Sequence, residues 1–148
     1  MIRFTKIGLE KIKKDLENLV KDRPKAVADL KKARDMGDLS ENGYYKSAKS
    51  KLSSIDYLLR KFSYQIKNAA VVQSNNKDYV EIGSSVVLKN EEREVIYHLV
   101  GDLEADPAEH KISLLSPIGR ALENKKIGSK IEIVTPKRRV YYKLIKIS

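Results

Sequence analysis

The sequence has no cysteine or tryptophan, only two histidines and no long hydrophobic run. The lack of cysteine excludes disulfides, thiolate catalysis and cysteine-ligated zinc. His98 and His110 are too far apart in sequence to form a metal site by themselves, so any bound metal is expected to have oxygen ligands. No apolar segment approaches the roughly 18 residues that a membrane-spanning helix needs, and the first residues, MIRFTKIGLE, lack a signal-peptide core. We therefore expect a cytoplasmic protein with no membrane contact.

Positive charge is in excess and is unevenly distributed. The chain has 30 Lys and Arg against 20 Asp and Glu, a formal net charge of +10. Residues 1–67 hold 17 basic and 9 acidic side chains, whereas residues 68–148 hold 13 and 11. A basic first half suggests a polyanionic neighbour such as nucleic acid. A well-solvated helical surface accounts equally for the same charge.

Two stretches of the first half repeat apolar residues at alternating steps of three and four, the spacing of a coiled-coil seam. The first seam, broken only by an arginine, is Leu9, Ile12, Leu16, Leu19, Arg23, Ala26, Leu30 and Ala33. The second seam is Ala48, Leu52, Ile55, Leu59, Phe62, Ile66 and Ala69. Folding the chain back at residues 40 and 41 sets the two seams against each other. This predicts an antiparallel coiled-coil hairpin and a monomer, because both seams are satisfied within one chain.

Two residues interrupt the pattern of the first helix. Pro24 is expected to kink this helix or to replace one turn of it, because proline lacks a backbone N–H and crowds the preceding turn. Arg23 is expected either to reach into solvent or to pair with Asp56 across the hairpin.

Beyond about residue 70 the helical period stops, and the polar residues 73–78 are predicted to form a hinge. Segments 85–89, 94–100, 130–134 and 140–147 are rich in Val, Ile and Tyr and are predicted strands. Ser116 and Pro117 are typical of an N-cap and a first helical position, which predicts a short helix through Glu123. The sequence thus predicts an α+β protein, with a coiled-coil hairpin domain at 1–73 and a small antiparallel sheet domain with one short helix at 79–148.

The turn between the two helices contains the candidate site. Gly37 is suited to end the first helix in a left-handed conformation. Asp38 and Glu41 follow three positions apart, which is the spacing of a capping box. The same two carboxylates could instead share a Mg²⁺ ion that another macromolecule helps to bind. Arg34 and Lys49 flank this end. Cations beside the carboxylates are what delivery of a metal to a phosphodiester would require. They are also common at any solvated helix end.

Three segments resemble one known family. Residues 33–42 are similar to the tip signature A-R-x-x-G-D-L-x-E-N of the Gre transcript cleavage factors, the GreA/GreB family. Residues 100–106 resemble the family's V-G-x-x-E-A-D segment, and residues 116–122 resemble its S-P-I-[AG]-R-A-L helix. The resemblance covers nearly the whole chain. It implies a coiled coil that enters the secondary channel of bacterial RNA polymerase and an FKBP-like C-terminal domain that docks on the channel rim.

The resemblance also implies roles for individual residues. Asp38 and Glu41 match the pair that helps to hold a catalytic Mg²⁺ shared with the polymerase active site, where backtracked RNA is cut. The chain itself is then an accessory factor and not an enzyme. The residues expected near the nascent RNA 3′ end are Arg34, Lys49 and Tyr45, and those expected to dock on the polymerase are Gly101, Asp102, Ser116, Pro117, Ile118 and Arg120.

The chain departs from the family pattern beside the tip. Many members continue E-N-A-E-Y, whereas Gly43 and Tyr44 stand here at the third and fourth positions. A third carboxylate is lost, and glycine costs about 1 kcal/mol of helix propensity relative to alanine. Three alternatives stay open: a channel-binding regulator that inhibits or remodels polymerase without cleavage, a DNA- or RNA-binding protein that uses the basic hairpin directly, and a peptidyl-prolyl isomerase suggested only by the FKBP-like sheet.

Overall fold

The structure, a computed structural model, describes residues 1–37 and 43–148. It contains two compact units. The helical unit is Glu10–Asn68, and the sheet unit combines Met1–Leu9 with Ala69–Ser148. The first nine residues therefore pack with the C-terminal half of the chain, which the predicted ranges 1–73 and 79–148 did not anticipate. The division of the chain into domains at those two ranges stays a prediction.

Two long helices dominate the first half of the chain. Helix α1 is Lys6–Arg34 and helix α2 is Gly43–Lys67. Helix α1 continues through Pro24, so of the two predicted outcomes the replacement of one turn does not occur, and the kink stays a prediction. The Nε atom of Arg23 lies 2.7 Å from Oδ1 of Asp56, which confirms the predicted pair. Across the described residues, no helix is both long and apolar enough to span a membrane.

The helical unit buries little. Among its described residues, the buried apolar ones are the seam residues Ala26, Ala33 and Ile55. The second helix ends at Lys67, before the last predicted seam position, because Ala69 begins a strand. That strand, β2 (Ala69–Val71), pairs in parallel with β1 (Ile2–Phe4) in a two-stranded sheet. Neither of these three-residue strands was predicted.

A five-stranded sheet forms most of the sheet unit. Its strands are β3 (Ser85–Lys89), β4 (Glu94–Val100), β5 (Lys111–Ser113), β6 (Lys130–Val134) and β7 (Arg139–Ile147), in the spatial order β5-β4-β3-β7-β6. The four predicted strands are confirmed. The sheet is mixed and not wholly antiparallel, because the short β5, which was not predicted, runs parallel to β4.

One face of this sheet packs on helix α3 (Pro117–Leu122). A short 3₁₀ turn at Pro107–Glu109 precedes β5. Alternating strand residues face the core, so strand period and burial agree. The buried cluster consists of Val80, Ile82, Val86, Leu88, Leu99, Ile112, Leu114, Leu122, Ile131, Ile133, Tyr142, Leu144 and Ile147. Helix α3 begins as predicted, with the Ser116 side chain accepting a hydrogen bond from the backbone N–H of Gly119, and it ends one residue earlier than predicted.

Candidate functional site

The predicted metal pair, Asp38 and Glu41, lies outside the described residues, so its geometry stays a prediction. The structure describes both approaches to it. Helix α1 ends at Arg34, and Gly37 has a φ of 123°, a conformation that a residue with a side chain rarely adopts. The predicted left-handed exit from the first helix is therefore confirmed, and glycine is the residue that permits it. In the described portions of the chain, no three His, Asp or Glu side chains are grouped closely enough to hold a metal.

Exposed cations flank the tip on both helices. They are Lys31, Lys32 and Arg34 at the end of α1 and Lys46, Lys49 and Lys51 near the start of α2. None of them forms an ion pair with any residue of 1–37 or 43–148. Cations at the end of α1 are favoured by the helix dipole, but Lys46 in the first turn of α2 opposes it. The helix dipole therefore does not account for Lys46 on the α2 side.

Two tyrosines follow the tip. Tyr44 is 73% exposed, whereas Tyr45, the residue predicted to contact RNA, is half-buried. Of the two aromatic rings, Tyr44 presents more surface to a partner. Tyr45 was predicted because it matches the family tyrosine. A match between sequences does not show how far a side chain is buried.

Two of the predicted docking residues have internal contacts in the sheet unit. The carboxylate of Asp102 accepts hydrogen bonds from the backbone N–H of Arg3 at 2.8 Å and from its Nε at 3.1 Å. A Cβ atom on Gly101 would lie 2.5 Å from the carbonyl oxygen of Arg3 and 2.9 Å from the Cα of Phe4. Gly101 and Asp102 thus attach strand β1 to the rest of the sheet unit. These internal contacts explain why the two residues occur at these positions, without a partner protein.

Glu104 completes this attachment and was missed as a site residue. Its carboxylate accepts hydrogen bonds from the backbone N–H of Gly101 at 3.0 Å, from that of Thr5 at 2.8 Å, and from the Thr5 hydroxyl. The Thr5 hydroxyl oxygen in turn accepts from the N–H of Gly8 at 3.1 Å, the N-cap contact of α1. A Cβ atom on Gly8 would lie 2.1 Å from the Glu104 carboxylate carbon, so glycine makes room for this contact.

The predicted docking residues of α3 divide into two sets. Ser116 caps the helix and its hydroxyl donates to the carbonyl of Ser113 at 2.7 Å, while Ile118 packs on the buried cluster. Pro117 and Arg120 are exposed, as is the neighbouring Leu115 at 54%. Only this second set presents side chains to a partner.

Comparison with known proteins agrees with this architecture. Residues 2–71 match the family model described as "Transcription elongation factor, N-terminal", and residues 74–148 match "Transcription elongation factor, GreA/GreB, C-term". Both halves of the chain thus belong to one class of protein, the transcription elongation factors. Within that class, the chain belongs to the GreA/GreB family.

Curated relatives match over nearly the full length. Transcription elongation factor GreA of Orientia tsutsugamushi (strain Ikeda) is 39% identical over 154 residues, covering 99% of this chain and 97% of that protein. GreA of Acetivibrio thermocellus is 38% identical, covering 95% and 91%. Among solved structures, the GreA factor homolog 1 (Gfh1) protein of Thermus thermophilus aligns with a TM-score of 0.46 at 22% identity, covering 99% of this chain and 98% of that one.

Proposed function

We propose that this protein enters the secondary channel of bacterial RNA polymerase with its helical hairpin and stimulates the polymerase's own cleavage of backtracked RNA. The observation that carries the proposal is the tip signature at residues 33–42, in a chain whose two halves both match the elongation factor family. Arrested complexes would resume synthesis from the new RNA 3′ end. The protein would act in the cytoplasm as an accessory factor, with catalysis supplied by the polymerase.

The donor set at the tip fits a shared Mg²⁺. Asp38 and Glu41 supply hard carboxylate oxygens, and Mg²⁺ commonly takes only one or two protein carboxylates while the rest of its sphere is water or phosphate. Two carboxylates are too few for a tight site on this chain alone. The ion, when held jointly with the polymerase, would stabilise charge on the phosphodiester under attack. Capping of α2 is the competing role for the same two carboxylates, and the experiment below separates the two roles.

The cations around the tip suit the RNA that this function requires. Arg34 and Lys49 are exposed and lie on opposite helices of the hairpin. Each can contact a phosphate of the extruded RNA without giving up an ion pair within the described residues. Phosphate contacts of this kind position the RNA and carry no sequence preference.

Docking on the polymerase rim is assigned to the exposed part of the α3 region. Pro117, Arg120 and Leu115 offer a small mixed surface of one proline, one cation and one apolar side chain. Gly101 and Asp102 would support this surface indirectly, by holding the sheet unit together. We therefore expect Arg120→Ala to weaken polymerase binding and to leave the fold unchanged.

The deciding experiment measures RNA cleavage in purified, backtracked bacterial elongation complexes with Mg²⁺. The Asp38→Asn, Glu41→Gln double variant is expected to lose stimulation by at least about 10-fold, the lower end of what loss of metal-positioning groups costs. Its binding to polymerase should be retained. The matched control is Asp22→Asn, Asp29→Asn, which removes the same charge from exposed positions of α1 and should cleave normally.

Three results would contradict the proposal. Polymerase binding without any stimulation by the intact protein would favour a channel-binding regulator. Loss of helical circular dichroism together with activity in the double variant would assign the two carboxylates to capping. Binding to free RNA or DNA that depends on Arg34 and Lys49, without any stimulation of cleavage, would favour direct use of the basic hairpin.

A further inference from the structure

Three lysines stand side by side on the face of the five-stranded sheet that points away from the core. Lys130 of β6 is opposite Lys143 of β7, and Lys143 is opposite Lys89 of β3. Residues directly opposite on neighbouring strands share a face. The next positions on these strands, Ile131, Tyr142 and Leu88, are buried in the core, so the lysines face the other way.

Such a row is unfavourable for the isolated fold. Like charges directly opposite on paired strands destabilise a sheet, and strands lie only about 4.8 Å apart. Within the described ranges none of the three lysines forms an ion pair, and all three are exposed. Glu94, which is opposite Lys89, is not in ion-pair contact with it. No ion pair among the described residues neutralises this charge, which points to a partner that does.

The surroundings of the row extend the same surface, which we call the lysine face. An open groove beside it is lined by five cationic and two acidic side chains, which are Lys89, Lys130, Arg138, Arg139, Lys143, Glu91 and Glu92. Tyr141 is two residues from Lys143 on the same strand, hence on the same face, and is 45% exposed. The Nζ atom of Lys130 lies 4.4 Å from the centre of the Tyr141 ring.

We propose that the lysine face binds single-stranded nucleic acid, with the three lysines on successive phosphates and a base stacked on Tyr141. The phosphates of a nucleic acid are regularly spaced along its backbone, and the three lysines are regularly spaced from strand to strand. The two charge patterns therefore match. The exposed ring favours nucleic acid over an acidic polypeptide, because bases stack on aromatic side chains and carboxylates do not. This site is separate from the hairpin tip and does not depend on cleavage or on polymerase.

The test measures binding of fluorescein-labelled oligouridine of about 12 nucleotides to the full chain as a function of salt. Each single-strand phosphate contact contributes about 0.7 to the slope of log affinity against log salt, so Lys89, Lys130 and Lys143→Gln should lower it by about 2. The intact protein should then lose about 20-fold more affinity than the variant between 50 and 200 mM salt. The matched control, Lys77, Lys125 and Lys126→Gln, removes three exposed charges from the same unit away from the strands.

A second variant isolates stacking. Tyr141→Leu keeps every charge and is expected to weaken binding about 5-fold or more with an unchanged salt slope, because one stacked base is lost. Amide NMR spectra should show that all variants are folded, and oligouridine should shift the signals of β6 and β7 in the intact protein.

The proposal is overturned if the lysine variant and its control weaken binding equally, which would leave only net charge as the cause. It is also overturned if a polyglutamate peptide of equal charge competes as well as oligouridine, which would assign the lysine face to an acidic polypeptide. Because no polymerase is present, neither result bears on cleavage.

Discussion

The two units of the molecule are stabilised in different ways. The sheet unit buries a cluster of thirteen side chains between its five-stranded sheet and α3, with Leu88 and Leu144 fully enclosed. In the described part of the helical unit only Ala26, Ala33 and Ile55 are buried, and two of these have the smallest apolar side chain. A hairpin of two helices has one contact layer, so most of its surface stays in solvent. That surface is where the cations flanking the tip are found.

Two of the family motifs also differ, because one lies beside exposed residues and the other makes contacts within the fold. The tip motif is bordered by exposed residues with no ion pair in the described chain, such as Arg34 and Lys49. The motif at residues 100–106 is used internally, with Asp102 on Arg3 and Glu104 on Thr5. A motif shared by a family can therefore mark a fold contact as readily as a binding surface, and only its surroundings distinguish the two.

The largest contrast should come from matched leucines. Leu144→Ala removes a fully buried side chain from the sheet unit and is expected to cost about 2–5 kcal/mol in the free energy of unfolding. Leu30→Ala removes a half-buried seam residue of the helical unit and should cost about 1 kcal/mol. Urea unfolding followed by circular dichroism measures both. Equal losses would show that the hairpin depends on apolar burial as much as the sheet does.

Substitution of one glycine in each unit should change the free energy of unfolding in opposite directions. Gly101→Ala places a Cβ atom against the backbone of Arg3 and Phe4, which cannot withdraw easily, and should destabilise by about 1–3 kcal/mol. Gly43→Ala meets no atom within 4 Å at the start of α2. It should stabilise the helical unit by about 0.5–1 kcal/mol, because alanine loses less backbone entropy than glycine.

Thermal unfolding of the two alanine variants and the parent checks this prediction. A neutral Gly101→Ala would mean that strand β1 shifts without cost and that the Glu104 contacts contribute little. A destabilising Gly43→Ala would mean that the start of α2 requires the conformational freedom of glycine.

Sequence patterns predicted the elements whose residues follow a regular period, and they missed the elements that are too short to show one. The hairpin follows from its seams, and the long strands follow from their alternation with turns between them. The strands β1, β2 and β5 have three residues each, too few to show a period, and they form because distant segments supply their partners. The missed parallel pairing of β5 with β4 has the same origin.

The candidate site shows the same limit. Composition and spacing drew attention to Asp38 and Glu41 but left capping and metal binding open, and the resemblance alone favoured metal. The contact of Asp102 with Arg3 joins residues 99 positions apart, which no local pattern contains. Burial of Tyr45 likewise depends on packing that spacing does not specify.

The smallest effect is expected at the ion pair between the two helices. The hydrogen bond from Arg23 is the main cause that lowers the pKa of Asp56, with a further contribution from its charge and that of Arg60. A lowered pKa in the folded state means that the pair stabilises the hairpin above the ordinary carboxyl pKa of about 3.9. That stabilisation is lost as the pH falls through the lowered value.

NMR titration of the Asp56 carboxyl carbon should show its midpoint rising toward the ordinary value in Arg23→Gln. The control, Glu17→Gln, removes the partner of Lys21 in an exposed pair on α1 and should leave the Asp56 midpoint unchanged. Asp56→Asn should reduce the acid sensitivity of the hairpin with only a small loss of stability at neutral pH, since solvent screens both charges. An unshifted midpoint in Arg23→Gln would show that the pair does not persist in solution. Alignment of the two helices would then depend on packing of the apolar seam residues, with no contribution from this ion pair.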